Sequence, residues 1–279
     1  MTVPTTTGPM TTGPIDVFGV AGQSNAQGRG TAALAPVTLP GLAFEHRGPG
    51  ELVTPALDPF AGASTGSAWP AFLDTFTAAS GRPACIVSAA AGGAALVDAT
   101  PAPYGSWSPA GTLREAAAAR FAGALADLEA DGWAPAWRGV LWHQGEQDAQ
   151  QYPEVGELRA AYTEALRALG AWFVEAVGPG EVHVLRLGDR VGYRDGYAAV
   201  RAAQDAVCLD DGFTMAYTEC EQFPARGWMR DPLHYTQAGL NHMGTHAARA
   251  VAAHLGFLAE GAPPPPAGPT VAQRLRQVL

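Results

Sequence analysis

Apolar and polar positions fall in blocks along this chain. Ile15-Asp16-Val17-Phe18-Gly19-Val20-Ala21 is an apolar run that breaks into Gly22-Gln23-Ser24-Asn25, the pattern of a buried strand entering a tight turn. Residues 84–88, 139–143 and 182–187 read the same way, and 213–217 is a weaker fifth strand. Helical patterns lie between them. Residues 112–130 are rich in Ala, Leu, Arg and Glu, with Thr112 as N-cap and Gly132 as stop. Residues 158–177 and 197–207 look similar, and a last helix over 235–258 is entered through Thr236. Strands alternating with helices predict an α/β fold, a three-layer α/β/α sandwich around a central parallel sheet.

Two stretches lack periodicity: residues 28–70, rich in Gly, Pro and Ala, and residues 94–111, with Pro101, Pro103, Tyr104, Trp107 and Pro109. Loops of that length in a compact domain are usually functional or disordered, and their place after the first two strands makes them candidates for the walls of a cleft. The ends differ in composition. Residues 1–14 read as a flexible Thr/Gly/Pro-rich segment, and 261–279 as a tail opened by a Pro-rich run. A single domain over 15–260 remains. There is no internal repeat.

With 279 residues, 47% hydrophobic and 15% charged, the chain can bury a large core and is not of disordered type. A net charge of −9 argues against nucleic acid or an anionic membrane as partner. All 17 cations are arginine, which excludes Schiff-base and P-loop chemistry, both dependent on Lys. Cys85, Cys208 and Cys220 have no C-x-x-C spacing, as in a protein that does not rely on disulfides. No apolar run reaches the ~20 residues of a membrane span. Residues 1–14 show neither the basic nor the apolar part of a secretory signal, which reads as cytoplasmic by default; a secreted chain trimmed of its leader would read alike.

In a doubly wound sheet ligands bind beyond the carboxyl ends of the strands. Ser24, Gly92-Gly93 and Gln144-Gly145-Glu146 each follow a strand and so face one crevice. A serine hydroxyl needs a base, and the base needs a third group to fix its tautomer; Asp231 and His234, three apart, supply both. Singly, Ser24 reads as a turn serine, His234 as a surface histidine and Asp231 as a turn initiator before Pro232. Their conjunction reverses that. The backbone N–H groups of Ser24 and Gly93 and the side-chain amide of Gln144 are donors for an oxyanion, although Gly92-Gly93 alone is an ordinary tight turn and Gln144 alone an ordinary loop-satisfying residue.

The blocks Gly22-Gln23-Ser24-Asn25, Ala91-Gly92-Gly93, His143-Gln144-Gly145-Glu146-Gln147-Asp148 and Asp231-Pro232-Leu233-His234 resemble, in order, those of the SGNH hydrolase superfamily. More narrowly they resemble carbohydrate esterase family 6 and the sialate O-acetylesterases, with G-Q-S-N, G-G-[ST], Q-G-E-x-D and D-x-x-H. Residues 200–204 and 234–239 agree with the flanking patterns. The resemblance spans 15 to about 250. It implies a flavodoxin-like sheet, a Ser24 nucleophile, a His234 base oriented by Asp231, and an oxyanion hole of Ser24, Gly93 and Gln144. Gly92, Asn25, Gln23 and Glu146 support these residues, with no metal and no cofactor. The implied substrate is an acetylated carbohydrate. Ala94 stands where the family has Thr or Ser, and the tryptophan that usually follows has Trp107 as its nearest substitute.

Three other readings compete. His242 and His246 have a zinc spacing on a helix, but Met243-Gly244-Thr245 supplies no Glu, so they read as packing or surface residues; a metallohydrolase would use Asp231, His234 and His143 instead. A non-catalytic sugar-binding module would stack Trp107, Tyr104 and Trp69 on sugar faces. A short-chain esterase or lipase would keep the site and change the substrate to a lipid, thioester or aryl ester.

Overall fold

The computed structural model describes residues 12–63, 65–190 and 192–258; most of the predicted N-terminal segment and the 261–279 tail lie outside them. The elements are β1 (Pro14–Gly22), α1 (Ser24–Gln27), β2 (Ala43–Gly48), β3 (Glu51–Val53), α2 (Trp69–Ser80), β4 (Ala84–Ser88) and α3 (Leu113–Ala130). They continue with β5 (Ala134–His143), α4 (Glu146–Gln151), α5 (Val155–Val177), β6 (Glu181–Leu185), α6 (Arg194–Val207), β7 (Phe213–Tyr217) and α7 (Gln237–His254). The seven strands form one sheet in the order β3-β2-β4-β1-β5-β6-β7. Every pairing is parallel except the β2–β3 hairpin at one edge.

The unbroken apolar run of β1 follows from burial on both faces. Ile15, Val17 and Ala21 pack with Phe121 of α3, Leu158 of α5 and Val200 of α6. Phe18 and Val20 turn the other way, toward Phe72 of α2 and Met243 of α7. Phe18 meets Phe72 and Phe76 edge-on at 5.2 and 5.0 Å. Burying each such ring stabilises the sandwich by about 1.5–3 kcal/mol.

Residues 28–70 hold more structure than their pattern predicts. β2 is spelled Ala-Phe-Glu-His-Arg-Gly, yet Glu45 is fully buried. Its carboxylate accepts from the Ala61 N–H at 2.6 Å and from Arg47 at 2.8 Å, while burial pushes the carboxyl up from its ordinary range. Tertiary partners thus satisfy polar residues that hide the strand. α2 opens on Trp69-Pro70, with Pro in the first turn where no N–H is needed. Boundaries also move: α5 begins at Val155 and α6 at Arg194, and β6 stops at Leu185. Thr112 makes no side-chain cap, whereas Thr236 accepts from the Gly239 N–H at 3.4 Å. Cys85, Cys208 and Cys220 are free thiols. Among the described residues no helix is long and apolar enough to cross a membrane.

The chain leaves β1 toward β2 and β4 on one side, then fills the other side with β5, β6 and β7. The switch point therefore lies at the carboxyl end of β1, and the segments after β4, β1 and β5 stand side by side there.

Candidate active site

Gly22 ends β1 at φ +132°, and a Cβ there would lie 2.1 Å from the His143 carbonyl oxygen. Only glycine lets the ends of β1 and β5 come so close. The Gln23 N–H donates to that same carbonyl at 3.1 Å, and the chain turns at once into α1. Ser24 is its first residue, 5% exposed, so its N–H has no acceptor within the helix. Gly92 lies against it: the Ser24 Cβ is 3.8 Å from where a Gly92 Cβ would stand.

His234 and Asp231 come from the opposite edge of the crevice. They sit in a small hairpin in which the Arg230 N–H donates to the His234 carbonyl at 2.8 Å and the Thr236 N–H to that of Trp228 at 2.9 Å. Asp231 Oδ1 accepts the N–H groups of Leu233 and His234, both at 2.8 Å, and its Oδ2 lies 2.8 Å from His234 Nδ1. Partial burial alone would raise this carboxyl. The hydrogen bonds from the His234 ring, the His234 N–H and the Leu233 N–H outweigh it and hold Asp231 below its ordinary range. With the Nδ1 hydrogen directed at Asp231, Nε2 faces Ser24 Oγ at 3.1 Å as an acceptor.

Asn25 ties the two edges together. Wholly buried, it accepts the Tyr235 N–H on Oδ1 at 3.2 Å and donates from Nδ2 to the Leu233 carbonyl at 3.2 Å. Those backbone groups flank His234 on both sides. Nδ2 also donates to Glu146 Oε1 at 2.8 Å, so a residue of α4 anchors the side chain that holds the backbone on both sides of His234. Gln23 Oε1 accepts the Gln147 N–H at 3.1 Å.

Gln144 does something other than the expected donation to an oxyanion. Its Nε2 donates to Asp148 Oδ2 at 2.6 Å and to the Ala94 carbonyl at 2.9 Å, and its Oε1 accepts from Tyr162 at 2.9 Å. Both amide hydrogens are engaged inside the protein, which corrects the reading of Gln144 as a free donor. Asp148 also accepts from Thr100 Oγ1 and the Leu96 and Val97 N–H groups at 2.7, 3.0 and 2.9 Å. Burial pushes its carboxyl up against these donors. Together they fix the loop after β4, which carries Gly92 and Gly93.

The aromatic residues need a second correction. Trp107 is 1% exposed and donates to the Gly22 carbonyl at 3.2 Å; Trp69 is 0% exposed and donates to that of Ala26 at 2.7 Å. Both underpin the turn that carries Ser24 and cannot stack on a sugar. Tyr104, at 71% exposure, remains open. It lies over Gly93, whose φ is +72° and whose missing Cβ would stand 2.6 Å from the ring. Arg29 escaped the sequence reading. Its guanidinium lies beside Gly92, with Nη2 2.9 Å from the position of a Gly92 Cβ and 2.8 Å from Gln27 Oε1. A lone Arg in a Gly-rich stretch carries no signal; only the fold returns it to Ser24.

His143 contacts neither Asp231 nor His234; its Nδ1 lies 2.8 Å from the Leu185 carbonyl and its Nε2 3.8 Å from Glu146 Oε1. Among the described residues no group of three or more His, Cys, Asp or Glu could hold a metal ion. His242 and His246 stack at 4.1 Å between centroids, and His242 Nδ1 meets the Tyr217 hydroxyl at 2.8 Å, a packing role.

The fold is shared with solved proteins. A protein from Arabidopsis thaliana is 18% identical with a TM-score of 0.65, over 85% of this chain and 98% of its own. NanS is 15% identical with a TM-score of 0.55, over 88% and 98%. A carbohydrate acetylesterase from Xanthomonas citri is 17% identical with a TM-score of 0.50, over 87% and 57%. No curated protein matches the chain in sequence. The family model for carbohydrate esterase, sialic acid-specific acetylesterase, matches residues 53–253, a span that takes in Gly93, Gln144, Asp231 and His234 and begins downstream of Ser24. That span is the greater part of the chain, which therefore belongs to this carbohydrate esterase family.

Proposed function

We propose that the protein is a serine esterase that removes acetyl groups from carbohydrate hydroxyls through an acyl-enzyme. The observation that carries this reading is the chain of contacts from Ser24 Oγ to His234 Nε2 at 3.1 Å and from Nδ1 to Asp231 at 2.8 Å, set at the switch point of the sheet. Ser24 Oγ attacks the acetyl carbonyl while Nε2 takes its proton. The tetrahedral oxyanion is received by the N–H groups of Ser24 and Gly93, each such donor lowering the barrier by about 3–4 kcal/mol. Collapse breaks the bond to the sugar oxygen, and Nε2 returns the proton to that oxygen. Water then attacks the acetyl-serine with His234 as base, releasing acetate and restoring the hydroxyl.

Asp231 keeps His234 in the tautomer that accepts at Nε2. Gln144 and Asp148 act at one remove, by fixing the loop that presents Gly93. Tyr104 over Gly93 and Arg29 beside Gly92 crowd the space next to Ser24, which suits a short acyl group. Acetate release from O-acetylated sugars and from p-nitrophenyl acetate, set against longer p-nitrophenyl esters, tests the reading. It predicts turnover of the acetates, poor turnover of long chains, and none by Ser24→Ala. A sugar-binding module would retain the glycan and release no acetate.

A further inference from the structure

The hairpin that carries Asp231 and His234 has a second use. Its residues Trp228, Arg230 and Thr236 also wall a cleft of about 700 Å³, whose other wall is Gly30, Thr31 and Leu34. That volume is on the scale of sites for whole small molecules, roughly 300–1,000 Å³, and far exceeds what an acetyl group fills. Arg230 of this cleft directly precedes Asp231 in the chain and donates from Nη1 to the Arg29 carbonyl at 2.6 Å. Another cleft, of about 390 Å³, is lined by residues 149–150, 155 and 192–196 and shares nothing with the hairpin.

The 700 Å³ cleft is preformed. Gln237 lies buried beneath it, accepting the Thr31 N–H at 3.0 Å and donating to the Ser67 carbonyl at 2.8 Å and to Asn241 at 2.7 Å. A Cβ at Gly30 or Gly66 would stand 2.2 or 2.0 Å from Gln237 Oε1, so the two loops rest on that amide only because both positions are glycine. The base and the cleft are thereby built on one rigid support, the start of α7.

Reaction chemistry says what should lie there. Nε2 returns its proton to the departing alcohol, so that oxygen must come within hydrogen-bond reach of the imidazole. The acyl oxygen points instead toward Ser24 and Gly93. Whatever the alcohol carries therefore extends on the His234 side, along the hairpin. The lining carries three threonine hydroxyls, the Gln237 amide, one guanidinium and one indole, and no carboxylate, a set suited to sugar hydroxyls and to the apolar face of a pyranose. Resting on the esterase reading above, we propose that this cleft is a subsite for the sugar residues next to the one that bears the acetyl group. The preferred substrate is then an acetylated oligosaccharide over its free monosaccharide.

The test compares kcat/KM for O-acetylated sialic acid, free and as the terminal sugar of sialyllactose, and for O-acetylated glucose against O-acetylated cello-oligosaccharides, with p-nitrophenyl acetate as reference. Ala238→Trp fills the cleft from the exposed first turn of α7, and Leu34→Trp fills it from the other wall. At least one oligosaccharide should exceed its monosaccharide by 10-fold or more. Each substitution should remove that preference and leave p-nitrophenyl acetate within twofold. Equal rates within both pairs, or a preference that survives both substitutions, would overturn the subsite while the esterase stands. A wild type inactive on every ester overturns both.

Discussion

Ser24 is fixed by the sheet, whereas His234 stands on a hairpin that reaches the sheet from outside. Ser24 sits at the junction of β1 and α1 with Gly22 pressed on the end of β5 and two buried indoles beneath it. Asp231 and His234 keep side-chain exposures of 42% and 24%, and their hairpin meets the segment after β1 through Asn25 and through Arg230 on the Arg29 carbonyl. One half of the site is thus built into the core and the other is moored to it. The difference teaches where each kind of damage falls: on chemistry alone at Ser24, and on alignment at Asn25.

The largest expected effect is at the built-in half. Ser24→Ala should lower acetate release by about 10⁴-fold or more with an unchanged melting temperature, since its Oγ is engaged with the His234 ring. Asp231→Asn should cost about 10³–10⁴-fold by presenting the wrong tautomer. Because hydrogen bonds hold Asp231 below its ordinary range, it stays a carboxylate on mild acidification, so the acid limb of kcat/KM should carry one proton and not two. A two-proton acid limb would contradict this.

Next comes the mooring. Asn25→Ala removes the bonds to Leu233, Tyr235 and Glu146 and leaves buried polar groups unmatched, at about 1–3 kcal/mol. It should cut kcat by about 10–100-fold, a cost in alignment of that same size, with KM little changed. It should also lower the melting temperature by several degrees, because a domain of this size shifts about 2–4 °C per kcal/mol. Loss of stability with full kcat would show that the hairpin holds its own register.

The smallest effect concerns the sheet away from the site. Burial lowers His183 from 6.5 to about 4. Between those values the unfolded chain binds a proton that the folded chain refuses, so stability falls as pH drops through that window, by up to about 3 kcal/mol. His183→Gln should flatten the loss in urea titrations at pH 4–7 and leave the pH dependence of kcat/KM unaltered.

Legibility in the sequence followed the same division. Ser24, Asp231 and His234 were readable because each lies in a short motif directly behind a strand or before a helix, and the structure brings them together. Gln144 was misread: a polar side chain after a strand looks like a donor to ligand, and only the fold shows Asp148 and Ala94 taking its hydrogens. The partner was visible in the spacing, since Asp148 follows Gln144 by four residues across the start of α4. Trp107 and Trp69 looked free in aperiodic stretches because burial by distant backbone carbonyls leaves no local pattern. β2 was hidden by Glu45 and His46, polar residues whose partners Ala61 and Asp127 lie 16 and 81 positions away.

Labelling with a fluorophosphonate, followed by peptide mapping, tests the central claim most directly, because the reagent reports which hydroxyl a neighbouring base has activated. A single adduct on Ser24 that disappears in His234→Ala is the predicted result. An adduct on another hydroxyl, or acetate release that persists in Ser24→Ala, would contradict the account.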